Sequence, residues 1–518
     1  MIDILDDDSL LNIFHLYRPF LLGEDGNDEA RLFGGFERWE CGHWWYKLAH
    51  VCRRWRNLLL GSASYLGLCL VCAKDTPVAD MLAHSPPFLP LVVDYYYEDS
   101  DMNAEDEERL FLALEQRDRV LRIRLRTEVP NLQRLVVAIS EEYPILEHLI
   151  IVTSDRPPSL ALPEKLQAPR LHHLVLSGFT LPKGSRLITT AVGLITLVLI
   201  ITTPSTCFQP DALLHWISFM PQLETLMIYF FSADPGRTIE KQLTHTSIPT
   251  ITPITLPNLR WFWFQGVNAY LEAVVRGITS PHLERLQIFL FEQLAFSIPH
   301  LLQFMKNAAT ETQNLRFGNA KLDFSSGQVD MATYPHEEAD LSHSLHIRVL
   351  SLHLDSQVSA MAQISNSLSQ MFSAVEHLTL SYRDEVHSQS FEERNEVERR
   401  TEWRRIFRSF RTVKTLRVED GLEKEIARCL RSEDDGGELA LDHLLDLHGL
   451  SLPGLQELTY IGRTETDDSF TPFINARQNA GRPVTLVRQS PAPSPSESSS
   501  EGTTVTPARG DVGNDSNT

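Results

Sequence analysis

Pro144-Ile145-Leu146-Glu147-His148-Leu149-Ile150-Ile151, answered further on by Pro169-Arg170-Leu171-His172-His173-Leu174-Val175-Leu176, is the stretch on which the reading of this chain turns. Both lines spell Leu-x-x-Leu-x-apolar, with a proline two residues ahead of the first leucine. Successive side chains of an extended strand point to opposite faces, so Leu149 and Ile151 share one side, as do Leu174 and Leu176. The same core returns in Leu194-Leu197-Leu199, Leu223-Leu226-Ile228, Leu259-Phe262-Phe264, Leu283-Leu286-Ile288, Ile347-Leu350-Leu352, Val375-Leu378-Leu380, Val413-Leu416-Val418 and Leu455-Leu458-Tyr460. Val120-Ile123-Leu125 is an earlier copy.

The middle anchors recur every 23 to 42 residues apart from one gap of 64. That spacing brackets the period of roughly 20 to 29 residues found in leucine-rich repeats, lengthened by insertions. A strand-plus-helix unit cannot bury its apolar side alone, whereas stacked units share a continuous core. The expected architecture is therefore α/β, a right-handed array of parallel strands over residues 63–488. One degenerate unit around Leu315 to Phe324 is expected inside the long gap, and spacers such as Asp234 to Thr255 are expected as rim loops.

Upstream of the array the period changes. Leu10, Ile13, Phe14 and Tyr17 fall on one helical face, and Asp8 or Ser9 is a candidate cap. After a polar, Gly-bearing insertion at 23–35, Trp45, Leu48, Cys52, Trp55 and Leu59 form a second helical stripe that Gly61 ends. A small helical domain over 1–62 follows. Its second stripe is wider than one packing neighbour needs, so another surface should cover it. Downstream, the charged run at 383–405 reads as a solvated helix. The Pro- and Ser-rich end, 489–518, lacks the apolar content to fold and is expected to be disordered.

Composition narrows the function classes. The chain has 518 residues, 42% hydrophobic and 22% charged, with a formal charge of −21 from Asp+Glu 68 against Lys+Arg 47. Phosphate neutralisation needs clustered cations, so a nucleic-acid partner is not expected, and a basic or ordinary protein is the better one. Cysteines at 41, 52, 69, 72, 207 and 429 make no disulfide or zinc framework, which implies a reducing compartment. Met1 is followed by Asp3, Asp6, Asp7 and Asp8 in place of a basic and apolar leader. The longest apolar run, Ala191 to Ile201, is about half of a membrane span of roughly 20 residues. A soluble chain of the cytoplasm or nucleus, without a membrane partner, is the expectation.

The run Ile4-Leu5-Asp6-Asp7-Asp8-Ser9-Leu10-Leu11-Asn12-Ile13-Phe14, with Trp45 and then Leu48-Ala49-His50-Val51-Cys52-Arg53-Arg54-Trp55-Arg56, resembles an F-box, more narrowly that of fungal proteins with leucine-rich-repeat-like C-terminal regions. The resemblance covers about the first 60 residues well and the repeats loosely. It implies a helical unit that docks on the Skp-type adaptor of an SCF (cullin-RING) ubiquitin ligase, and through it on the cullin, while the repeats recruit an unknown substrate protein. On this sequence it makes Leu5, Leu10, Ile13, Phe14, Val51, Cys52, Arg53 and Trp55 the adaptor-facing or motif-defining positions. The usual Leu-Pro start is Leu5-Asp6 here, and the insertion between the helices is long. A ligase-independent repeat scaffold, with the helical unit serving as a folding cap, is the alternative.

Catalytic and metal motifs are sparse. Cys69-Leu70-Val71-Cys72 has the spacing of a redox or zinc pair but no partner pair, and reads as core cysteine. His172 and His173 point to opposite faces of a strand and cannot chelate one ion together. Cys41-Gly42-His43 has no orienting acid. Gly-rich phosphate loops, HExxH and GxSxG are all missing, so a non-catalytic chain without cofactor or metal is expected. The acidic stretch Glu98 to Glu108 reads as a solvated loop and helix start. Within Trp261-Phe262-Trp263-Phe264, Phe262 and Phe264 should enter the core, leaving Trp261 and Trp263 as an exposed aromatic pair suited to grip a substrate.

Overall fold

The computed structural model describes residues 5–17, 44–96, 102–153, 160–182, 184–233, 253–293, 295–312, 317–335, 344–383, 396–419, 421–430, 452–461 and 469–489. The insertion at 23–35, Cys41-Gly42-His43, most of the spacer after Asp234 and the tail beyond Gln489 lie outside them.

Four helices open the described chain: α1 (Asp7–Tyr17), α2 (Trp44–Ala49), α3 (Arg53–Gly61) and α4 (Ala63–Leu66). The cap of α1 is Asp6, not Asp8 or Ser9, because Asp6 Oδ1 accepts the Ser9 amide at 2.7 Å. The stripe from Trp45 to Leu59 is likewise two helices. Cys52 is fully extended between them, and its Sγ accepts the Trp55 amide at 3.4 Å, starting α3 afresh.

Among the described residues, sixteen strands form one sheet. Strands β1 to β4 (Leu70–Ala73, Leu91–Tyr96, Val120–Thr127, His148–Thr153) lie side by side in chain order. They continue into β5 to β9 (His173–Ser177, Thr196–Ile201, Thr225–Phe230, Trp261–Gly266, Arg285–Phe291), with every pairing parallel. The repeat anchors fall in a single row: Ile123, Leu149, Leu174, Leu197, Leu226, Phe262 and Leu286 are successive partners. Those side chains are buried in one cluster with helical residues such as Leu132, Leu213 and Leu271. Each fully buried leucine contributes about 1.5–3 kcal/mol, so stability accrues unit by unit along the row.

The recurrent proline has a geometric cause. In Tyr143–Leu146, Ala168–Leu171, Met220–Leu223, Leu256–Leu259 and Leu452–Leu455 the last amide bonds back to the first carbonyl, and proline holds the second position of the turn. Its fixed φ suits that position. Just after each turn one carbonyl accepts two amides of the next unit. Glu147 O takes His172 and His173, His172 O takes Ile195 and Thr196, Ile195 O takes Glu224 and Thr225, and Glu224 O takes Arg260 and Trp261.

Regularity breaks where the long gap fell. Strands β10 to β12 (Asn319–Ser325, Gln328–Tyr334, Leu345–Leu350) enter the sheet in the order β9-β12-β11-β10. β11 is antiparallel to both neighbours, whereas β10 and β12 run with the array. The expected degenerate unit is thus a displaced hairpin. The anchor triplet Ile347-Leu350-Leu352 also needs correction. Leu345 pairs with Leu286, so Leu345, Ile347 and Val349 enter the core, while Leu352 is 74% exposed. Strands β13 to β16 (His377–Arg383, Thr415–Val418, Glu457–Ile461, Thr485–Gln489) then resume parallel order, with Leu378, Leu416, Leu458 and Leu486 in register.

Two helical readings change as well. The helix Glu396–Ser409 is not a solvated rod: Trp403, Ile406 and Phe407 are fully buried, and Arg399 reaches Asp355 (2.7 Å) and Glu425 (2.5 Å). The helix starting the acidic stretch, Ala104–Glu115, buries Asp106, whose carboxylate accepts from the Asp75 amide and Arg109.

Between helices Asn268–Arg276 and Pro299–Thr312, buried Glu272 accepts the His300 and Leu301 amides at 2.8 and 2.9 Å and so caps the second helix. Burial pushes its carboxyl pKa up, opposed by those two bonds. Glu272→Ala leaves both amides unanswered and is expected to cost about 1–3 kcal/mol, read as a lower urea midpoint with the m-value unchanged.

Candidate interaction surfaces

The helical unit carries a buried apolar stripe with exposed apolar positions beside it. Leu10 and Phe14 of α1 are fully buried, and Phe14 meets the half-buried Trp55 edge-on with ring centroids 5.0 Å apart. Beside that buried stripe on α1, Ile13, Leu16 and Tyr17 share the i, i+3, i+4 spacing and are 44%, 70% and 52% exposed, the Tyr17 ring lying 6.4 Å from that of Trp44. Val51, in the turn before α3, is 54% exposed. Leu5 is partly exposed, as is Tyr65, whose ring lies 5.9 Å from that of His15. Of the eight motif positions, then, Leu5, Ile13, Val51, Cys52 and Arg53 are exposed. Leu10 and Phe14 are corrected to packing positions because no surface of either remains for another chain, and Trp55 is half-buried with its ring against Phe14. Leu16 and Tyr65 lie outside the positions the sequence singled out, and Tyr17, on the expected stripe, is exposed; for Leu16 its helical spacing from Ile13 was the available signal.

The unit is also joined to the array. Trp45 Nε1 donates to Cys69 O at 3.2 Å, just before β1, and Leu10, Phe14, Trp45 and Leu59 belong to the same core as the leucine row.

The sheet face away from that row carries a second buried cluster, built among the described residues only from strand side chains. Ile150, Val175, Val198, Met227 and Trp263 line up across β4 to β8, with Phe289 beside them. Trp261 and Trp263 do point to this face, but the exposed pair is corrected. Trp263 is 1% exposed, stacked on Tyr229 at 5.4 Å and edge-on to Phe289 at 5.3 Å, and Trp261 is half-buried. Cys69 also lies on this face while Cys72 enters the leucine core, so the two do not converge; burial raises the Cys72 thiol to about 12.

Charged groups flank the apolar centre. Towards the hairpin, Arg348 lies over the Phe289 ring at 4.6 Å and donates through Nε to Asp330 at 2.6 Å. Asp330 also meets His346 Nε2 at 2.8 Å and Gln328 at 3.0 Å. Burial opposes the Asp330 charge, yet the His346 bond and the Arg348 cation outweigh it and hold the carboxyl below its ordinary range. Opposite it across the hairpin, Asp323 accepts from Ser381 (2.9 Å) and Arg383 (2.8 Å). At the other end Asp94 faces Arg124 at 3.6 Å, and Arg124 lies over Tyr96 at 4.7 Å.

His148 and His173, register partners on β4 and β5, stack with centroids 4.4 Å apart and planes at 11°. Burial, then Arg122 for His148 and His172 for His173, lowers them to about 3 and about 4. Because the folded pKa values lie below the unfolded 6.5, the unfolded chain takes up protons first as pH falls. The pair's contribution is fully present above about pH 6.5 and is lost as pH drops towards 4. Urea midpoints should therefore fall between about pH 7 and pH 5, and the fall should shrink in His148→Gln/His173→Gln.

Among the described residues no group of three or more His, Cys, Asp or Glu is placed to hold a metal ion, and no helix is long and apolar enough to cross a membrane. A small cavity between the sheet and its helices is lined by apolar residues, including Leu174, Leu187, Leu199, Trp216 and Met220. The row of anchors, one parallel strand per unit, describes a leucine-rich-repeat-like solenoid fronted by a helical unit.

No protein-family model matches the chain, and no curated protein matches it. Among solved structures, the leucine-rich repeat-containing protein LegL7 from Legionella pneumophila is similar at 10% identity, over 74% of this chain and 98% of that one, with a TM-score of 0.26. So low a score adds nothing to the strand register, on which the description of the fold stands.

Proposed function

We propose that this chain is the substrate-recognition subunit of an SCF (cullin-RING) ubiquitin ligase, docking on a Skp-type adaptor through its N-terminal helices and holding a substrate protein on the repeats. The observation that carries this reading is the apolar surface left exposed on the helical unit, at Ile13 and Leu16 of α1 and at Val51 before α3, although Leu10 and Phe14 already fill the unit's own core. Exposed apolar surface on a helix face marks a contact site. In this reading the chain supplies no catalytic group. It raises the local concentration of substrate beside the ubiquitin-loaded enzyme.

A ligase-independent repeat scaffold is the second reading, favoured by the Trp45–Cys69 bond and the shared core, which let the helices cap the first repeat. Capture of adaptor and cullin by the full chain tests the two. Both should come down with the wild type and be lost on glutamate substitution at Ile13 and Val51; a wild-type capture without adaptor ends the ligase reading.

A further inference from the structure

The proposed docking surface is assembled from two stretches far apart in sequence, the segment leading into α1 and the turn before α3. Leu5 and Asp6 precede the first helical residue and are exposed, and no proline stiffens Leu5-Asp6-Asp7. One side chain ties this segment to the second stretch. Arg54, two residues from the end of the Val51–Cys52 turn, donates through Nη2 to Leu5 O at 2.6 Å and to Asp7 Oδ1 at 2.7 Å, and through Nε to Asp7 Oδ1 at 3.1 Å. A guanidinium is planar, so three bonds to the Leu5 carbonyl and the Asp7 carboxylate fix both the distance and the orientation of this segment. Asp6 completes the arrangement by accepting the Ser9 amide, a bond that is the main cause of its lowered carboxyl pKa.

We propose that Arg54 is a positioning residue of the adaptor surface: its fork locks the Leu5–Asp7 segment against α3, so that Leu5 on one stretch and Val51 on the other are presented to the partner in a fixed relation. This rests on the adaptor reading above. An exposed ion pair alone adds little to stability, and Arg54 and Asp7 are 38% and 62% exposed, so the effect falls on binding and not on folding. Pre-organisation lowers the ordering cost of association, which is where removal of the fork should be felt.

The test measures affinity of the full-length chain for a purified Skp-type adaptor, with thermal melting of each variant beside it. Arg54→Met keeps the apolar stem and removes the fork; it should weaken binding about tenfold with melting unchanged. Asp7→Asn should weaken it less, Arg54→Lys should recover part of the loss, and Arg54→Met/Asp7→Asn should bind no worse than Arg54→Met, because both changes break one contact. Wild-type affinity in Arg54→Met, or independent additive losses in the double variant, overturns the inference and leaves the adaptor reading intact. A folded wild type that binds no adaptor overturns both.

Discussion

Glutamate at both Ile13 and Val51 is expected to remove a Skp-type adaptor, and the cullin behind it, from material captured with the full chain, a loss of about a hundredfold or more in affinity. Both side chains are about half exposed in the isolated chain, so neither substitution opens a cavity or buries a charge in the fold. Melting should therefore match the wild type. Within an apolar interface each carboxylate would be desolvated without a partner, and unpaired buried charges cost several kcal/mol each. Two such penalties exceed what a protein contact of ordinary affinity can absorb. Leu16→Glu should act in the same direction, since Leu16 is 70% exposed one turn on from Ile13. Full retention of adaptor by the double variant would remove Ile13 and Val51 from the interface.

Trp263→Ala is expected to destabilise the array by about 3–5 kcal/mol, the range for truncating a large buried aromatic. Its indole is wedged between Tyr229 and Phe289 and closes the row that runs from Ile150 through Met227. Removing it leaves a void on the face that has no described helix to collapse inward. Trp261→Ala, at the half-buried margin, should cost appreciably less. Equilibrium unfolding together with hydrogen exchange of β7 to β9 measures the difference, since loss in a repeat array is felt most by neighbouring units. Unchanged stability in Trp263→Ala, paired with loss of a bound partner, would restore the tryptophan to the role of a surface anchor.

Both expectations show where a repeat can be read and where it cannot. The row from Ile123 to Leu286 is legible because each unit repeats one local problem, a strand with one side to bury, and solves it with the same turn and the same leucine spacing. In Leu345-His346-Ile347-Arg348-Val349-Leu350-Ser351-Leu352 the repeat spacing picks out Ile347, Leu350 and Leu352, although Leu345, Ile347 and Val349 alternate as a strand face should. Pairing with β9 selects Leu345, Ile347 and Val349, and a slip of one residue reverses every face. The hairpin Asn319–Tyr334 was beyond reach because its order in the sheet is a matter of long-range pairing with β12 and β13. The alternation in Trp261–Phe264 fixes the direction of Trp263 but not its burial, since alternation gives the side of a sheet and says nothing of what stands on it.

Sequence by itself determined that parallel, leucine-anchored units follow a short pair of amphipathic helical stripes, because periodicity and turn chemistry act within a few residues. Tertiary structure alone decided which apolar residues are left over. Leu10 and Ile13 look equivalent in the primary pattern, yet packing into the common core consumes one and spares the other, and the Arg54 fork joins residues nearly fifty positions apart. Such contacts depend on where whole elements come to rest, which no local pattern encodes.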